Sequence, residues 1–251
     1  MPTALITGAS SGIGLELARV FAREGYGLVL VARNQKRLEE IAQELRPAEA
    51  QVIALDLSLP GAPEEIHGKA PKVDVLVNNA GFGVFGKFVE KGLAEELNMM
   101  QLNMTALVTL TRLYLPAMIS AGNGKIMNVA STAAFQPGPL MAIYFATKAF
   151  VLSFSEAIAN ELEGTGVIVS ALCPGPTASD FQERAKMQNS ALVKGRKMMD
   201  SRTVAEAGYR GLMAGKTIVI PGLANKLLTQ SLRLSPRSIV TKMVRRMQEE
   251  R

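Results

Sequence analysis

Tyr144 and Lys148 stand four residues apart in the segment YFATK. On a helix that spacing puts them on one face, about 6 Å apart along the axis. A phenol ordinarily titrates near pH ~10 and is a poor proton donor or acceptor at neutrality, but a neighbouring ammonium stabilises its anion. Ser131 closes the strand-like segment KIMNVAS, and its hydroxyl could polarise a carbonyl facing Tyr144. The chemistry would be proton transfer at the oxygen of a carbonyl or alcohol. The same Tyr and Lys spacing also occurs on plain surface helices, so the surrounding elements must decide.

A second group suits a phosphate. In TGASSGIG, Gly8, Gly12 and Gly14 fall between a short apolar run, residues 3–7, and an amphipathic segment from Ile13 to Arg23. At such a strand-to-helix turn, backbone N–H groups and the helix dipole favour an anion, and glycine allows close approach. The spacing departs from the commoner G-x-G-x-x-G fingerprint. Ser10 and Ser11 could donate to a phosphate or cap the helix. The next strand ends in LVARNQKRLEE, where an acidic residue would hold the ribose 2′-hydroxyl of NAD. Arg33 stands there instead, with Lys36 and Arg37 behind it, and a guanidinium suits the 2′-phosphate of NADP. Lys36 and Arg37 could equally form a solvated helix face pairing with Glu40.

These groups need a frame that strands and helices supply by turns. Apolar runs at 3–7, 28–32, 52–56, 73–79, 125–131, 166–173 and 216–222 read as strands, each bounded by turn residues and alternating with helical patterns or loops. The expected fold is α/β: one doubly wound parallel sheet of about seven strands, helices on both faces, in a single Rossmann-type domain over 1–251. Composition narrows the chemistry further. One cysteine, Cys173, and one histidine, His67, exclude an internal disulfide and Cys/His zinc clusters; a carboxylate-only metal site stays open by composition, and none is assigned. His67 lies in PGAPEEIHGKAP, which reads as a surface connection, and Cys173 reads as a small buried side chain.

Taken together, these residues resemble the short-chain dehydrogenase/reductase family over nearly the whole chain. Its glycine segment appears as Thr7 to Gly14, its Asn-Asn-Ala-Gly as Asn78 to Gly81, its helix asparagine as Asn103, and its active-site trio as Ser131, Tyr144 and Lys148. The segment after the sixth strand appears as Pro174, Gly175, Pro176 and Thr177. The resemblance implies hydride transfer between NADP(H) and a small carbonyl or alcohol substrate. Tyr144 would exchange the proton and Ser131 hold the oxygen. Lys148 would lower the tyrosine pKa and bind the nicotinamide ribose, and Asn103 would hold a water behind Lys148. Cofactor contacts are expected from Gly8, Ser10, Ser11, Gly12, Ile13, Gly14, Arg33, Arg37, Asp56, Leu57, Asn79, Ala80, Gly81, Tyr144, Lys148, Pro174, Gly175 and Thr177. Asp56 could alternatively cap a strand end, and Asn78 would serve the sheet. A homodimer or homotetramer is implied by analogy.

The substrate side is less determined. The resemblance implies a lid over about 178–200, which here carries Phe181, Met187, Leu192 and Met198, and residues 82–88 bring three phenylalanines. Both suit an apolar substrate, of 3-oxoacyl or hydroxysteroid type for instance, or serve as packing or a subunit contact. A catalytically idle NADP-binding redox sensor is the contrasting reading, which the intact trio opposes. The net charge of +6 suggests an anionic partner. Part of the excess falls in residues 225–251, an amphipathic basic tail divided by Pro236 that could pack internally, close the cleft, meet a subunit or lie on an anionic membrane. Nucleic acid is not expected, since no aromatic-interleaved basic module occurs. The N-terminus lacks the pattern of a signal peptide and no run of about 18 apolar residues occurs, so a cytoplasmic protein is expected.

Overall fold

A computed structural model describes residues 1–185, 187 and 198–249. Seven strands form one parallel sheet: β1 (Thr3–Thr7), β2 (Gly27–Ala32), β3 (Ala50–Ala54), β4 (Val75–Asn78), β5 (Gly124–Val129), β6 (Val167–Leu172) and, counting past a small pair, β9 (Ile218–Val219). Their order is β3-β2-β1-β4-β5-β6-β9. The seven runs expected as strands are the seven strands found. A small parallel pair, β7 (Thr177–Ala178) and β8 (Met199–Asp200), lies at the two ends of the segment expected as a lid. The expected lid residue Leu192 lies outside the described residues.

Side-chain alternation divides the core into two layers. Ala4 and Ile6 of β1, Leu28 and Leu30 of β2, and Val75 and Val77 of β4 face one side. There they meet Leu17, Val20 and Phe21 of α1 (Gly12–Arg23), Leu38 and Ile41 of α2 (Gln35–Glu44), and Val204 and Leu212 of α8 (Ser201–Met213). The residues between them, Leu5, Val29, Val31 and Leu76, face the other side. They meet Ile66 of α3 (Ala62–Lys69) and Leu110 and Tyr114 of α5 (Leu107–Ser120). Strands apolar on both faces are what a sheet covered on both sides requires.

One segment differs from expectation. The segment around His67 is not a connection but α3, which starts at Gly61 in a left-handed conformation, carries Pro63 in its first turn, and has Glu64 and Glu65 near its N-terminus. The proline and the two glutamates are helix-start signals. Tyr114 packs edge-on against His67 and donates its hydroxyl to the Ala70 carbonyl at 2.7 Å, so His67 is structural. The helical stretches 93–120 and Ala142–Glu161 have mean hydropathies of 1.2 and 1.3 without an uninterrupted apolar run. By length and composition they could span a bilayer, yet both pack against the sheet through residues such as Leu110, Tyr114, Val151 and Leu152.

Candidate active site

Strand order reverses between β1 and β4, and the crevice at the carboxyl ends of a parallel sheet opens at such a switch. A cavity of about 740 Å³ occupies this place, lined from Gly8, Arg33 and Asp56 at one end to Ser131, Tyr144 and Lys148 at the other. It runs on to Leu228 of α9 (Leu223–Leu234) and Met247 of α10 (Arg237–Gln248).

The glycine loop is built for close approach. Gly8 and Gly12 have φ of +67° and +56°, where a side chain would be strained. Ser11 occupies the N-cap position of α1 with extended backbone, but its hydroxyl makes no capping bond. Ser10, Ser11, Gly12 and Ile13 all line the cavity. Thr7 fastens the loop to β4: its hydroxyl accepts from the N–H groups of Asn79 and Ala80 at 3.0 Å each. The Asn79 amide donates to the carbonyls of Thr7 and Gly8.

Gly14 belongs to this packing rather than to the cavity lining. A Cβ there would lie 2.3 Å from the Gly8 oxygen and 2.4 Å from Asn79 Nδ2, so the glycine allows α1 to close on β4. Arg37 is likewise displaced from the expected cofactor contacts: its guanidinium pairs with Glu40 at 3.1 Å and Glu44 at 3.3 Å along α2. Arg33 lines the cavity with 71% of its side chain exposed, 3.9 Å from Asp56. Asp56 caps the strand end, the second of its two expected roles, and also lines the cavity. One carboxylate oxygen accepts from the N–H and hydroxyl of Ser58 at 3.0 and 2.7 Å, which with Arg33 lowers its pKa against a desolvation that raises it, while the residue still faces the cavity beside buried Leu57.

At the other end, helix α6 (Ala142–Glu161) carries Tyr144 and Lys148 under β5. The Lys148 ammonium is buried and donates to the Val129 carbonyl at 2.8 Å, with Nζ 5.8 Å from the Tyr144 ring centre. Burial lowers the Lys148 pKa to about 8. Burial also pushes Tyr144 up to about 12, with a hydrogen bond to Ser131 pulling the other way. In the protein alone burial sets the direction of the Tyr144 shift, and the Lys148 ammonium is turned to the Val129 carbonyl. Ser131 Oγ accepts from the Ala133 N–H at 3.1 Å, which leaves its proton for the oxygen side of the cavity or the weaker 3.4 Å contact with the Pro174 carbonyl.

Asn103 stands behind this group, not in the lining. It lies in a π-helical turn, Gln101–Ala106, between α4 (Leu93–Met100) and α5. Its side chain accepts from the Phe82 N–H at 3.1 Å and donates to the Phe82 carbonyl and the Thr147 hydroxyl at 3.0 and 3.1 Å. These bonds fix the chain at Gly81, where a Cβ would meet Asn103 Oδ1 at 2.9 Å and Lys148 Nζ at 3.6 Å. Asn78 serves the sheet, as expected, by donating to Thr111 and Asn128.

Pro174, Gly175 and Thr177 line the cavity after β6. Further residues at this end take their place from the tertiary structure. Gly83 lies against the catalytic end, where a Cβ would touch Met141, Phe181 and Tyr144 within 3.1 Å. Asn225 packs so closely on Gly175 that a Cβ on the latter would lie 2.7 Å from its amide atoms. Leu228 and Met247 form a wall from the tail, whose position only the tertiary structure decides.

The fold and this arrangement define a nicotinamide-dependent oxidoreductase. A family model described as short chain dehydrogenase matches residues 2–190, and the chain belongs to that family, whose members act between CH–OH and C=O. It is 36% identical over 179 residues to a ketoacyl reductase, HetN, of Nostoc sp., a match covering 69% of this chain and 62% of that protein. A short-chain dehydrogenase from Sphingobium yanoikuyae, solved with NADPH, superimposes with a TM-score of 0.84 at 34% identity, covering 94% of this chain and 97% of that one. A bulky-bulky ketone specific alcohol dehydrogenase from Comamonas testosteroni gives 0.79 at 33% identity, covering 94% and 95%. A relative from Burkholderia phymatum was solved with NAD, at a TM-score of 0.82 and 25% identity over 91% and 92% of the two chains.

Proposed function

We propose that the protein is an NADPH-dependent reductase of apolar ketones or aldehydes, with Tyr144 as its acid. The observation that carries this reading is one continuous cavity joining the Gly8–Ile13 loop and Arg33 to Ser131, Tyr144 and Lys148. The residues fit the cofactor by two tests: the glycine conformations open a cradle that a Cβ would strain, and Ser11 leaves its hydroxyl uncommitted to the helix. Bound there, the reduced nicotinamide supplies a hydride to the substrate carbon.

Tyr144 then gives its proton to the substrate oxygen, and Ser131 holds that oxygen by a hydrogen bond. Burial keeps Tyr144 protonated at neutrality before transfer, and the transfer therefore relies on groups that stabilise the phenolate. Lys148, below its own value of about 8, is an ammonium at pH ~7 and stabilises the phenolate left after transfer. Asn103 acts as a positioning residue, holding Gly81 and Phe82 against the cofactor's sugar end. Arg33 reads the 2′-phosphate.

The substrate end supports an apolar ligand. Tyr144 is packed by Phe181 and Phe145 at ring-centre distances of 5.2 and 6.1 Å, with Met141 and the tail's Leu228 and Met247 completing the wall. Of the three phenylalanines in 82–88, Phe82 lines the cavity, Phe85 packs on the Tyr144 cluster, and Phe88 points outward. The test is NADPH oxidation across a panel of bulky ketones and aldehydes, with Tyr144→Phe alongside. Turnover lost in Tyr144→Phe with cofactor binding kept supports the reading. Cofactor binding with no Tyr144-dependent turnover on any member would leave the idle redox-sensor reading in its place.

A further inference from the structure

We propose that the outer faces of α9 and α10 bind the surface of an anionic lipid bilayer. Residues 225–251 contain seven Lys or Arg against two Glu, so five of the chain's six net positive charges sit in this tail. The preceding chain is nearly neutral, and the tail's charge does not serve the cofactor cradle.

The two helices each divide into an inner and an outer stripe. Inward, Leu232, Val240 and Val244 are buried in the cluster that packs on Tyr144 and Phe181. Outward, Leu223 and Leu227 of α9 are 72% and 64% exposed, and Ile239 and Met243 of α10 are 59% and 41% exposed. Each outer pair has i, i+4 spacing, and cations flank it one turn away: Lys226 lies three residues after Leu223, Lys242 three after Ile239, and Arg246 three after Met243. All three cations are exposed. Apolar pairs bordered by long basic side chains on a helix lying flat are what a headgroup interface takes up. The aliphatic side chains enter the acyl boundary while the cations remain among the lipid phosphates. Charge selects the occupant, because a second copy would bring the same basic stripes face to face.

The experiment is flotation of the full chain with vesicles of phosphatidylcholine alone and of equal parts phosphatidylcholine and phosphatidylglycerol. The wild type floats with the anionic vesicles, stays behind with the neutral ones, and is released by molar salt. Lys226→Glu/Lys242→Glu/Arg246→Glu lowers the partition at least about a hundredfold, from about fivefold per cation at a membrane surface. Leu227→Glu/Ile239→Glu also stays behind, while its thermal unfolding and cofactor binding match the wild type. If that variant is misfolded, the triple charge variant decides, since it alters only exposed side chains. The proposal is overturned if the wild type ignores anionic vesicles or the folded variants float equally. It is also overturned if light scattering without lipid shows that Leu227→Glu/Ile239→Glu halves the mass, which assigns the face to a second copy.

Discussion

Arg33→Ser tests the cofactor reading most directly, because the structure shows what Arg33 gives up when it turns to a phosphate. Among the described residues its ion-pair partner is Asp56, at 3.9 Å with 71% of the arginine side chain exposed. An exposed pair of this kind is worth less than about 1 kcal/mol. A charge-assisted hydrogen bond to a phosphate is worth about 1.5–3 kcal/mol, so the exchange favours the phosphate. Removing the guanidinium should cost about 1.5–3 kcal/mol in NADPH kcat/KM, which is about 10- to 150-fold. The Asp56 carboxylate then faces the phosphate without its neighbour and places the loss toward the upper end. NADH carries no 2′-phosphate, so its kcat/KM should change by less than about threefold. Because the contact is remote from Tyr144, the loss should fall on KM rather than kcat. The assay is initial-rate kinetics with both cofactors and one ketone. An NADPH-to-NADH preference that stays within about threefold of the wild type would refute the assignment and leave Arg33 a solvated side chain.

Other perturbations follow from the same geometry. Tyr144→Phe should lower kcat at least about a hundredfold with cofactor affinity unchanged by fluorescence titration, as expected for loss of a general acid. Lys148 has its folded pKa lowered to about 8 from 10.5, so the unfolded chain binds the extra proton between those values and stability should rise with pH across that window. Relative to Lys148→Met, the wild type should gain up to about 3 kcal/mol between pH 7 and 10.5, read by urea unfolding at each pH; a flat difference would contradict burial of the ammonium. Gly14→Ala places a Cβ 2.3 Å from a backbone oxygen and should cost at least about 2 kcal/mol and weaken cofactor binding. Gly68→Ala, in open space on α3, should stabilise by about 0.5–1 kcal/mol in the same denaturation assay.

Local pattern was enough for much of the framework. Each of the seven strands announces itself as an apolar run bounded by turn residues, because a strand covered on both faces must be apolar on both. The spacing of Tyr144 and Lys148, the glycines after β1 and the arginine after β2 place the chemistry on that framework. The α3 helix was legible in principle through Gly61, Pro63 and Glu64, but glycine and proline also mark loops. Only the burial of Ile66 against Leu5 and Leu76 chooses the helix.

What sequence could not decide depends on distances between residues far apart in the chain. The sequence left Arg37 between a cofactor contact and a solvated helix face; α2 turns it toward Glu40 and Glu44, while Arg33 lies at the cavity. Gly12 and Gly14 look alike, but one lines the cavity and the other makes room for Gly8 and Asn79. The tail's amphipathic pattern was visible from residue types alone. That its inner stripe walls the site through Leu228 and Met247, while Leu227 and Ile239 stay outside, required the packed structure. The sequence by itself determined which chemistry the chain could perform and on which framework. The tertiary structure decided which side chains line the cavity and which pack behind it, because burial and contact are properties of the folded surface and not of the order of residues.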